Sequence, residues 1–115
     1  MMLHTVNKSP HDSSSLRTCL SLAKPGSDLL LIEDGVYGAL SGSVHSDTIA
    51  EALNNVTIYA LGPDLKARGI SEDRLISGIK VTGYDGFVEL ATGNDKFRVG
   101  FSFYLVPKEE FENGI

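Results

Sequence analysis

The run Leu29-Leu30-Leu31-Ile32 constrains this chain more than any other feature. Four consecutive apolar residues between turn-forming neighbours suit a strand covered on both faces, the usual state of a central strand in a parallel sheet. Such a strand needs parallel neighbours and crossover connections, and the rest of the chain supplies both. Residues 1–6 read as a first strand, followed by the loop Asn7-Lys8-Ser9-Pro10-His11-Asp12. Ser13, Ser14 and Ser15 offer N-cap oxygens for a helix in which Leu16, Cys19, Leu20 and Ala23 fall at i, i+3, i+4 and i+7 and share one face. Lys24-Pro25-Gly26 stops it.

After the apolar run, Glu33-Asp34-Gly35-Val36-Tyr37 leads into a short helix over 36–40, broken by Ser41-Gly42-Ser43. A second amphipathic helix is expected over 47–53, capped by Ser46 or Asp47, with Ile49, Ala50 and Leu53 facing inward. Residues 56–61 form a third strand. Gly62-Pro63-Asp64 starts a helix that runs to Arg68, before Gly69. A short fourth strand over 79–82 and a helix over 84–91 follow. Strand and helix thus alternate, which gives an α/β fold: a small open parallel sheet with helices on both faces, in one domain over 1–95. Residues 96–115 behave differently. Phe97, Val99, Phe101, Phe103 and Leu105 alternate with Arg98, Gly100, Ser102 and Tyr104, the two-residue period of one edge strand ended by Pro107. Residues 108–115 read as a tail.

A length of 115 residues suits one domain. The net charge of −5, with no basic run, argues against direct binding of nucleic acid, which needs clustered Lys and Arg. An acidic surface can still meet a basic protein partner. The single cysteine, Cys19, cannot form an internal disulfide. The N-terminus lacks the basic and apolar regions of a secretory signal, and the longest apolar run is far too short to span a bilayer, so a cytoplasmic protein without membrane contact is expected.

Candidate chemistry is sparse. No phosphate-binding loop and no Gly-x-Gly-x-x-Gly occur, and His4, His11 and His45 lack metal-ligand spacing, so neither cofactor nor metal is expected. Cys19 is the one nucleophile of note. It suits a thiol that accepts and passes on a persulfide, but its spacing with Leu16 and Ala23 favours a small apolar residue packed under the helix. His4, with Thr5 and Lys8, could line a cleft at a strand's carboxyl end, although a buried, hydrogen-bonded histidine suits that position better. Glu33-Asp34 stands at the right end of the second strand for a ligand site, but Asp before Gly is also a plain turn. Asp64-Leu65-Lys66-Ala67-Arg68-Gly69 reads as a solvated helix with a glycine cap, and Lys66 and Arg68 beside apolar neighbours suit a subunit interface.

Four blocks resemble the TusB/DsrH family: Leu3-His4-Thr5-Val6-Asn7-Lys8-Ser9-Pro10, Leu30-Leu31-Ile32-Glu33-Asp34-Gly35-Val36-Tyr37, Ala60-Leu61-Gly62-Pro63-Asp64-Leu65-Lys66-Ala67-Arg68-Gly69 and Tyr84-Asp85-Gly86-Phe87-Val88-Glu89-Leu90. They occur in the family's order. The resemblance implies a DsrE/F/H-like fold and a subunit that assembles with TusC and TusD, or DsrF and DsrE, as a dimer of heterotrimers. It implies a complex that passes persulfide sulfur to a TusE/DsrC-type acceptor, for tRNA wobble 2-thiouridine or for sulfur oxidation. In that family the principal sulfur-carrying cysteine lies on the TusD/DsrE subunit. Ser15-Leu16-Arg17-Thr18-Cys19-Leu20 resembles the stretch where DsrH-type sequences carry a cysteine, which leans toward the DsrH side. The expected role is a non-catalytic or auxiliary subunit of a sulfurtransferase complex. The rivals are a stand-alone persulfide carrier using Cys19 and a small-ligand module using the Glu33-Asp34-Gly35 edge.

Overall fold

Right-handed crossovers decide how this sheet is covered. The computed structural model describes residues 2–93, 96–99 and 104–107, with the backbone alone described at Met2, Gly93 and the two C-terminal stretches. Its elements run β1 Met2–Val6, α1 Ser15–Leu22, β2 Asp28–Leu31, a 3-10 helix Glu33–Ala39, α2 Ser46–Ala52, β3 Thr57–Leu61 and α3 Gly62–Ala67. A 3-10 turn Glu72–Arg74, β4 Lys80–Thr82, α4 Tyr84–Gly93, β5 Lys96–Val99 and β6 Tyr104–Pro107 complete them. The strands form one sheet in the order β4-β3-β2-β1-β5-β6, with β1 to β5 parallel and β6 antiparallel to β5. From β1 to β4 the chain steps in one direction, so the intervening helices fall on one face. The β4 to β5 connection reverses direction, and the same handedness sends α4 to the opposite face.

The two apolar clusters follow that division. Val6, Leu29, Leu31, Ile58 and Ala60 of the sheet pack with Leu16, Cys19, Ile49 and Leu65 of the helices. On the other side Leu3 and Leu30 pack with Ala91, Phe87 and Leu90. Leu29, Leu30 and Leu31 are all fully buried although they point to alternate faces, as a strand covered on both sides requires. Each such leucine contributes roughly 1.5–3 kcal/mol by burial.

Three local expectations change. The edge strand expected across 97–105 is two strands: β5 lies between β1 and β6, and β6 turns back along it. Alternation reports which residues share a face and carries no mark of where a chain reverses. Residues 100–103 and the expected tail, 108–115, lie outside the described residues. Ala50, expected inward, is exposed, while Ala52 and Leu53 pack beside Ile49. From Ile49 the inward stripe falls at i+3 and i+4, and Ala50 is about 100° away around the helix. Finally, the serines cap indirectly. Ser14 precedes α1 without a side-chain cap, and the Ser13 hydroxyl instead accepts the Ser15 N–H at 3.1 Å. Ser46 opens α2, its hydroxyl accepting the Ser43 N–H at 2.9 Å and donating to the Leu40 carbonyl at 3.1 Å.

Candidate functional site

Open α/β sheets bind ligands outside the carboxyl ends of their strands, near the point where crossover direction reverses. Here that point adjoins the end of β1. The 3-10 helix after β2 presses directly on it. Ile32 N–H donates to the Val6 carbonyl at 3.0 Å, and Gly35 N–H donates to the Ile32 carbonyl at 2.8 Å. A Cβ on Gly35 would overlap the Val6 carbonyl oxygen and stand 2.9 Å from its carbon. Glycine is therefore required by close approach. Asn7 Oδ1, next along the chain, is buried without a hydrogen-bond partner among the described residues, an acceptor that a donor could satisfy.

Glu33 holds a left-handed backbone, with φ +50, which costs a residue with a Cβ roughly 1–2 kcal/mol. Its N–H donates to Asp64 Oδ2 at 2.7 Å, which secures that turn from α3. Asp34 Oδ1 accepts from Arg68 Nε at 3.0 Å and Nη2 at 2.9 Å, and Arg68 Nη1 reaches the Asp64 carbonyl at 3.2 Å. The hydrogen bond to Asp34 holds the guanidinium pKa above its usual value. The Glu33-Asp34 edge is thus braced from within the chain. Arg68, read from sequence as an interface residue alongside Lys66, pairs with Asp34 within the chain.

Lys66 has a different setting. It is exposed and borders a groove of about 350 Å³ that Gly62, Leu65, Ile70 and Val81 also line. Across the sheet, Lys80 Nζ stands 5.9 Å from the Tyr59 ring centroid. Burial, and then Asp28, raise the Tyr59 pKa, so the phenol keeps its proton throughout the physiological range.

Cys19 is fully buried within the larger cluster, on the face that the helical spacing assigned to it. A thiol there cannot be reached by a persulfide donor without opening α1. His4 and Thr5 are each 2% exposed, and strand alternation sends them to opposite faces, so they do not line one cleft with the exposed Lys8.

The structure assembles one cluster that sequence reasoning missed. His11 and His45 meet with ring centroids 5.2 Å apart, tilted by 57°. They border a cleft of about 290 Å³ with Arg17 and Asp12 on its rim and Leu16, Leu20 and Ile49 on its apolar side. The signal was the repeated Ser-x-His, Ser9-Pro10-His11 and Ser43-Val44-His45: in each, the serine hydroxyl accepts the histidine's backbone N–H at 3.2 Å. Among the described residues no three His, Cys, Asp or Glu side chains gather as metal ligands, and no helix is long and apolar enough to cross a membrane.

Residues 8–97 match the DsrH family model, described as DsrH like protein. Protein TusB of Serratia proteamaculans strain 568 is 42% identical over 89 residues, covering 77% of this chain and 90% of that protein. Protein TusB of Pectobacterium atrosepticum is 40% identical over 90 residues, with the same coverage of 77% and 90%. Among solved structures, ychN protein from E. coli superposes with a TM-score of 0.76 at 24% identity, over 85% of this chain and 97% of its own. MTH1491 from Methanobacterium thermoautotrophicum gives 0.69 at 19% identity, over 85% and 96%. At these identities the two structures speak for the fold alone.

Proposed function

This chain belongs to the DsrH family, and on that premise we propose that it serves as the TusB-type subunit of a cytoplasmic sulfur-relay complex. The observation that carries the reading is the 42% identity to a protein named TusB across 77% of the chain. In this reading it assembles with TusC- and TusD-type subunits, as a dimer of heterotrimers, and the complex passes persulfide sulfur to a TusE-type acceptor for wobble 2-thiouridine. The TusB names of the curated relatives favour tRNA thiolation over sulfur oxidation, against the lean drawn from Cys19. A net charge of −5 suits a subunit that meets proteins and leaves tRNA to others.

The burial of Cys19 supports an auxiliary role. Sulfur transfer needs a thiolate that attacks and is then attacked in turn, and both steps need access. Lys66, exposed beside an apolar groove, is our candidate for direct contact with a sister subunit. Arg68 supports the same surface by tying α3 to Asp34.

The test of the reading is replacement of the resident TusB by this chain in a bacterium that carries the pathway. Co-purification with the TusC- and TusD-type subunits and restored wobble 2-thiouridine are expected; failure of both in a well-expressed, folded chain would sink it. Within that complex, Cys19→Ala should leave persulfide transfer to the acceptor within about twofold. Cys19→Ser should cost about 1–3 kcal/mol of stability by placing a hydroxyl in an apolar site. Thiol labelling of the native protein should be slow. Rapid labelling, together with loss of transfer in a folded Cys19→Ala complex, would make this subunit a sulfur carrier in its own right.

A further inference from the structure

We infer that the cleft between the loop of residues 9–14 and the start of α2 is a binding site for a small organic anion. Its oxyanion head sits between His11, His45 and Arg17, and its apolar part lies on Leu16 and Ile49. The site does not depend on the sulfur-relay reading and belongs to no step of it.

Four observations point the same way. The two imidazoles come from separate loops 34 positions apart, yet meet at 5.2 Å, and the backbone N–H of each histidine is anchored on its own serine hydroxyl. Both rings line the cleft, so an oxyanion seated between them can accept from each. Arg17 adds a permanent cation whose planar fork matches an oxyanion. The first turn of α1 carries no acidic residue, so its backbone N–H groups add positive potential at the same end. The volume, about 290 Å³, lies at the lower limit for small-molecule pockets, which favours a metabolite-sized anion over a nucleotide or a protein segment.

Asp12 borders the same cleft as Arg17, and Asp47 stands exposed in the first turn of α2, so the donors that favour an anion are those of Arg17 and the two imidazoles.

The experiment follows histidine ring resonances of the full chain during titration with sulfate, thiosulfate or hexanoate at one fixed pH, with ionic strength held constant with chloride. Saturable shifts at His11 and His45 but not at His4 are expected. Arg17→Gln should weaken binding about fivefold. His45→Gln should weaken it to a similar extent; its ring makes no helix-capping bond, so the fold should survive. Saturation by any one probe supports the site, and the order of the three names the head group. The inference is overturned if none of them saturates, if both variants bind like the parent chain, or if zinc chloride shifts these rings and no anion does.

Discussion

Gly35→Ala is expected to destabilise the fold by about 3 kcal/mol, through overpacking against backbone rather than against a side chain that can rotate away. The added methyl would overlap the Val6 carbonyl oxygen, which already accepts the Ile32 N–H. Relief would require the 3-10 helix to lift off the end of β1, stretching that bond. For a domain of this size the loss amounts to about 10–15 °C in Tm. Gly83→Ala is the control: a Cβ there meets nothing within 4 Å, and the cost should stay within about 1 kcal/mol. Thermal unfolding followed by circular dichroism compares the two. Equal Tm values for Gly35→Ala and the parent chain would mean that the close approach at Val6 is not what secures this edge.

Lys66→Glu should lower capture of the TusC- and TusD-type subunits at least about tenfold while leaving stability within about 0.5 kcal/mol. Reversing a charge at a contact opposes a complementary surface directly, and Lys66 is exposed with no structural duty visible in its groove. Arg68→Glu should behave differently, because it removes the fork to Asp34 and places a further carboxylate near Asp34 and Asp64. Its stability loss should be about 1 kcal/mol, kept small by solvent, since Asp34 is 58% exposed. The Asp34 pair is what separates the two cations. Pull-down from co-expressing cells, with chemical denaturation of each isolated variant, reads both quantities. Unchanged capture by Lys66→Glu would remove this surface from the proposed interface.

The local signals in the chain were dependable wherever one element's chemistry decided the outcome. The run Leu29-Leu30-Leu31-Ile32 announced a strand covered on both faces, and Leu29, Leu30 and Leu31 are fully buried. The i, i+3, i+4, i+7 spacing around Cys19 announced its burial, because a helix turns at a constant angle and its inward stripe can be counted. Gly62-Pro63-Asp64 opened a helix where proline's missing N–H does no harm. Four short blocks, in order, were enough to suggest the family that residues 8–97 match.

Alternating strands and helices, their order and the α/β class were therefore determined by the sequence, since each rests on periods and turn residues within about ten positions, while the family rests on the likeness of those four blocks. Tertiary structure decided the rest. It placed β5 beside β1 rather than at an edge, because where a crossover lands depends on which strand still offers unpaired N–H and C=O groups. It gave Arg68 to Asp34, 34 residues away, and so distinguished a structural cation from Lys66, which carries the same charge two positions earlier. It also brought His11 to His45 across two loops that no helical or strand period connects. Polar groups distant in sequence meet only when packing sets the elements that carry them at a common depth and angle, and that arrangement belongs to the assembled fold.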